Sequence, residues 1–126
     1  MDIAAELDEM RSALQGCSLV AYTDLSSQLV LCTSSATSPM QEEMNALSRA
    51  AQLALDGAFA EGAAMAWGGA APAEFAVLMA DEDTRLFLRS PANATEALMC
   101  VCGPGTDLAE ASAQARATLG RIQAAA

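Results

Sequence analysis

The chain has no histidine and no lysine, and its six arginines face sixteen carboxylates over 126 residues, a formal net charge of −10. The two missing residue types exclude a Ser-His-Asp or Cys-His arrangement, a Schiff-base lysine, a Walker A phosphate loop and a histidine-ligated metal within one chain. No catalytic residue, cofactor-binding residue or metal ligand is therefore assigned, and no enzyme is expected. The acid excess excludes another class. A surface of this sign repels phosphate backbones and anionic headgroups, so nucleic acid and membrane are not expected partners, and a charged partner should present a basic face. Aromatics are scarce at 4%, while the hydrophobic 53% comes largely from alanine, so the core should be shallow and filled by small aliphatic groups. Nowhere do about 20 apolar residues run together to span a bilayer. Met1-Asp2-Ile3-Ala4-Ala5-Glu6 lacks the basic and apolar regions of a signal peptide, which points to the cytoplasm. A chain of this length, residues 1–126, reads as a single domain.

The residues with chemistry left to them resolve into packing and turns. Cys100-Val101-Cys102 places two thiols on one face of a strand about 7 Å apart, too far for a relaxed disulfide and without the Cys-x-x-Cys spacing of redox or zinc motifs. Cys17 and Cys32 lie inside apolar runs, and all four cysteines read as small buried hydrophobes without disulfide or metal. Asp81-Glu82-Asp83 is the densest carboxylate cluster, but a calcium loop needs a glycine at its sixth position, where Leu86 stands, so a solvated turn accounts for it. Gly103-Pro104-Gly105 leads into a helix start, where anions bind, yet Asp107 would repel a phosphate there and turn geometry explains the glycines.

The hydrophobic period spells helix, two strands, helix, three strands, helix. Ile3, Leu7, Met10 and Leu14 recur at helical spacing and Gly16 closes the run. Cys17 to Thr23 and Gln28 to Ser34 flank the polar turn Asp24-Leu25-Ser26-Ser27. Ser38, Pro39 and Gln41 form a helix start, followed by an apolar stripe of Met40, Met44, Leu47, Ala51 and Leu55. Ala46, Ala50, Leu53 and Ala54 widen that stripe into a second face, more than one sheet needs. From Gly57 to Ala73 the composition collapses into alanine and glycine around Trp67 and takes no assignment. Phe75 to Ala80, Arg85 to Arg89 and Ala97 to Cys102 form an antiparallel meander. The last helix opens on Asp107 and buries Leu108, Ala111, Ala115, Leu119 and Ile122. Leu31, Leu47, Leu88 and Val101 are expected in the core.

One strand stands out. Phe75, Ala76, Val77, Leu78, Met79 and Ala80 carry no charge, no proline and no polar face, and they open the meander after a long loop, which places them at a sheet edge. A bare apolar edge is usually paired. With the surplus helix face, this marks Ala46, Ala50, Leu53, Phe75, Ala76, Val77, Leu78 and Met79 as a candidate dimer interface.

The order of elements from Asp2 to Ile122, Asp24 after the first strand, the meander and the Pro104-Gly105 loop into the last helix together resemble the roadblock family of dynein light chains and their bacterial relatives. The resemblance implies an α+β fold: a five-stranded antiparallel sheet with helices on both faces, ordered α-β-β-α-β-β-β-α. The first and last helices would cover one face and the middle helix the other. It further implies a homodimer joined through third strands and second helices, acting as a non-enzymatic regulator or scaffold beside a small Ras-like GTPase. The first hairpin lacks the glycine turn of many members. Two other classes compete: an acidic dimeric chaperone of secreted effectors, which has three strands before its middle helix, and a small-molecule sensor domain, which needs a cavity lined by polar side chains.

Overall fold

The structure, a computed structural model, describes residues 2–37, 41–56 and 74–124. The expected helix start at Ser38 and Pro39, with Met40, and the stretch from Gly57 to Ala73 with Trp67 lie outside the described residues. Among the described residues eight elements follow in the expected order: α1 (Ile3–Ala13), β1 (Cys17–Asp24), β2 (Leu29–Ser35), α2 (Gln41–Asp56), β3 (Phe75–Met79), β4 (Thr84–Arg89), β5 (Glu96–Cys102) and α3 (Leu108–Ala124). The strands form one antiparallel sheet in the order β2-β1-β5-β4-β3, so β2 and β3 are its edges.

Period-two alternation along the central strands sends side chains to two separate cores. Val20, Tyr22, Leu86, Leu88, Leu98 and Cys100 meet Leu7 and Met10 of α1, Leu14 at its C-cap, and Ala111, Ala115, Leu119 and Ile122 of α3. Leu19, Ala21, Phe87, Ala97 and Met99 meet Met44, Leu47, Ala51 and Leu55 of α2. The first and last helices thus share one face and α2 holds the other. Local caps agree with the residues present: Asp2 accepts from the N–H of Ala4 at 3.0 Å at the start of α1, and Asp107 accepts from those of Ala109 and Glu110 at 3.0 and 3.2 Å at the start of α3.

Three core expectations need correction. Leu31 is 48% exposed. The register between β1 and β2 shifts from Tyr22 opposite Cys32 to Thr23 opposite Val30, leaving Leu31 as the extra residue of a bulge, and the alternation that would have buried it breaks there. Val101 is only half-buried. Leu25, placed in the polar turn, is buried against the α2 side, its N–H donating to the carbonyl of Thr95 at 2.6 Å. The turn does without glycine because Gln28 itself takes a left-handed φ of 58°.

Candidate functional site

The surface around β3 and the outer face of α2 is built by what α2 buries. Met44, Leu47, Ser48, Ala51 and Leu55 point into the sheet, and Ser48 donates a buried hydrogen bond to the Thr23 hydroxyl at 3.0 Å, since that hydroxyl is itself committed to the carbonyl of Leu29. With rotation fixed this way, the stripe of Ala46, Ala50 and Leu53 turns outward: Ala46 is exposed, Ala50 half-buried and Leu53 64% exposed.

Among the described residues β3 is hydrogen-bonded on one side only, to β4. The Arg89 N–H donates to the Glu74 carbonyl at 2.8 Å and the Ala80 N–H to the Asp83 carbonyl at 2.9 Å. These bonds bracket the pairs Phe75–Leu88 and Met79–Thr84, making them the narrow kind that exchange no backbone bonds. It follows that Ala76 and Leu78 use their N–H and C=O on β4, while Phe75, Val77 and Met79 aim theirs at the open edge. Phe75, Ala76 and Val77 are half-buried, Leu78 is 44% and Met79 74% exposed. Ala76 packs against the α2-side core, so Leu78, two residues on, also faces that side.

The expected interface residues therefore fall on two adjoining elements, with Ala76 and Leu78 on the α2 side of the sheet and Phe75, Val77 and Met79 on the other. What the residues did not reveal lies elsewhere. A cleft of about 300 Å³ is bounded by Glu74, Leu88, Arg89, Ser90, Arg116 and Gln123, with the Arg116 guanidinium 5.8 Å from the centre of the Phe75 ring. A neighbouring one of about 480 Å³ is lined by Tyr22, Leu31, Asn93, Glu96 and Ile122 among others. There Tyr22 donates to Glu96 at 2.8 Å, and burial followed by that carboxylate pushes the phenol pKa up, so the group stays protonated. These polar linings come from β1, the β4–β5 connection and α3, which no local pattern links. Asp81 and Glu82 are exposed in a turn, and Asp83 pairs with Arg85 at 3.4 Å. Among the described residues no group of three or more carboxylates or thiols is placed to hold a metal ion, and no helix is long and apolar enough to cross a membrane.

The fold matches solved structures. A Roadblock/LC7 domain from Streptomyces avermitilis superimposes with a TM-score of 0.80 at 10% identity, over 98% of this chain and 96% of that one. The fold is a roadblock fold. The gliding protein MglB from Thermus thermophilus gives 0.75 at 17% identity over 98% and 90%. An MglB with a tetrameric arrangement gives 0.75 at 15% over 93% and 82%. By sequence the chain matches no family model and no curated protein.

Proposed function

We propose that the chain is a homodimer joined through β3 and the outer face of α2, and that this dimer is a non-enzymatic regulator or scaffold for a protein partner. The observation that carries the reading is the unprotected apolar edge of β3, with Leu78 and Met79 exposed, together with the exposed Leu53 on α2. The backbone directions favour one pairing. Centring a two-fold axis on Val77 sets Val77 opposite its own copy and Phe75 opposite the Met79 of its copy, which engages all three outward-facing residues; a shift to either side engages only two. Together with the α2 faces such an interface should bury about 1,200–2,000 Å² or more. The tetrameric MglB arrangement supports self-association of this fold in that protein.

A small Ras-like GTPase is the partner class that the roadblock resemblance implies. A net charge of −10 per subunit favours a partner with a basic face. Affinity capture from native lysate at low and high salt, followed by nucleotide turnover with whatever is recovered, tests this. Recovery of a nucleotide-binding protein at low salt is the expected result. Recovery of a secreted effector and no nucleotide-binding protein would transfer the reading to a chaperone.

A further inference from the structure

All four cysteines are free thiols, and three of them meet on one face at one end of the sheet. Cys17 opens β1, Cys100 and Cys102 close β5, and all three pack in the core beneath α1 and α3. Cys17 lies directly across the ladder from Cys102. The N–H of Gly103 donates to the carbonyl of Gly16 at 3.0 Å, and these residues sit just outside the pair. Cys17 and Cys102 are therefore a narrow pair, for which regular ladders hold the Cα atoms about 4.5 Å apart. The register shifts between Cys17 and Leu19, next to this pair; a disulfide spans Cα separations of about 4.4–6.8 Å, a range that leaves room for such an irregularity.

The alternatives fit less well. The sulfurs of Cys100 and Cys102 are 4.0 Å apart, closer than the strand spacing alone suggests, but their Cα atoms stand two residues apart on one strand, at roughly the upper limit for a bridge. Cys32 is paired with Tyr22, five residues along β1 from Cys17, and is out of reach.

We propose that Cys17 and Cys102 form a site of reversible oxidation by hydroperoxides, closing a disulfide that ties the start of β1 to the end of β5. Cys17 is half-buried whereas Cys100 and Cys102 are buried. Gly16 and Gly103, which flank the pair, line an open cleft of about 370 Å³ with Pro104, Gly105 and Thr106. Cys17, the more exposed of the pair and next to the lining residue Gly16, is the thiol assigned to meet oxidant. With hydrogen peroxide, its sulfur attacks one peroxide oxygen, the O–O bond breaks and the first water leaves, giving a sulfenic acid. The Cys102 sulfur, ionised with its proton given up to solvent, then attacks the sulfenic sulfur, the S–O bond breaks, and the departing hydroxide takes a proton back from solvent to leave as a second water. Two thiols lose two hydrogens and two electrons, which the peroxide accepts. Hydrogen bonding with Cys100 first and then with Cys17 holds the Cys102 pKa well below the ordinary thiol range, which suits it to the second attack. The Cys17 pKa is lowered by Cys100, but Cys102 and burial outweigh this and push it up to about 11.

This site stands independently of the dimer reading, and peptide mapping of the whole, natively folded chain tests it. After hydrogen peroxide treatment and quenching, the intact mass should fall by two hydrogens, and dithiothreitol should restore it. Cleavage after Tyr22 separates Cys17 from Cys32, and the bridged peptide should contain Cys17. Cys32→Ser and Cys100→Ala should still form the bridge, and Cys17→Ser should not. Closing so long a loop should raise the melting temperature by ~10 °C. A bridge through Cys32, a bridge surviving Cys17→Ser, oxygen addition without hydrogen loss, or four thiols still titratable after treatment would each overturn the proposal.

Discussion

The guanidinium of Arg89 caps α2 at Leu55: its Nη2 donates to the Leu55 carbonyl at 3.0 Å, and the same group meets the Asp56 carboxylate while Nη1 reaches the carbonyl of Ala94 at 2.6 Å. The last residue of β4 thus ties the C-terminus of the middle helix to the β4–β5 turn. A cation at that end also complements the helix dipole. The side chain is only 6% exposed, so removing it leaves carbonyls without a donor, whereas Asp56, far more open, can turn to water.

Arg89→Ala should therefore destabilise the fold by about 2–4 kcal/mol in denaturant unfolding. Arg89→Lys should recover less than half of the loss, because an ammonium lacks the planar fork that reaches several acceptors. Full stability in the lysine variant would mean that charge alone is what matters there.

Leu47 and Leu88 lie in the two opposite cores, and truncating either to alanine should cost about 2–5 kcal/mol. Leu31→Ala, at the bulge, should change stability by less than about 0.5 kcal/mol. Equal losses at Leu31 and Leu47 would show that β2 pairs in the unshifted register.

Proline along β3 separates the two sides of the strand. Val77→Pro removes an N–H directed at the open edge and should yield a folded monomer by sedimentation velocity at micromolar concentration, as should Leu78→Arg if that variant folds. Ala76→Pro removes an N–H committed to β4 and should lower the melting temperature instead. A wild-type monomer, or a Val77→Pro dimer of unchanged strength, would rule out edge pairing.

Salt should act in opposite directions on the two associations. Two subunits of like charge repel, so raising ionic strength should tighten self-association, while capture of a basic partner should weaken as the field is screened. Titrating sodium chloride in both assays measures the two slopes, and parallel slopes would remove the electrostatic argument for the partner.

Asp24 gives a pH signature. Its carboxylate accepts from the Ser26 hydroxyl at 2.8 Å, the Ser26 N–H at 3.0 Å and the Ser27 hydroxyl at 3.1 Å, and these donors hold its pKa below the usual carboxylate value. The stabilisation is fully present above the unfolded value of about 3.9 and is lost as pH falls through the lower folded value. Asp24→Asn should accordingly melt below the wild type at neutral pH, with the gap closing in acid. A gap independent of pH would exclude the charged acceptor as its cause.

Much of this fold was legible because its signals are local. Leu7, Met10 and Leu14, the cap at Asp107 and the alternation of β4 each announce an element within a few residues, and edge placement of β3 followed from its composition and its position in the meander. The misreadings at Leu31, Val101 and Leu25, and the unforeseen meeting of Cys17 with Cys102, share a different origin. A bulge in β2, the Thr95 carbonyl facing Leu25, and the meeting of Cys17 with β5 are set by pairing between distant segments. The same holds for the cap on α2, since nothing near Leu55 in sequence foretells Arg89.

The displaced residue in β2 bears on how far such molecules can assemble. If β3 pairs with its own copy, the joined sheet ends on both sides in β2, whose ladder is broken at Leu31 and cannot serve as a regular template for another strand. Growth by sheet extension would stop at two copies, so a chain with an unguarded edge would be protected against polymerising into fibrils by an irregularity at the opposite end of its own sheet.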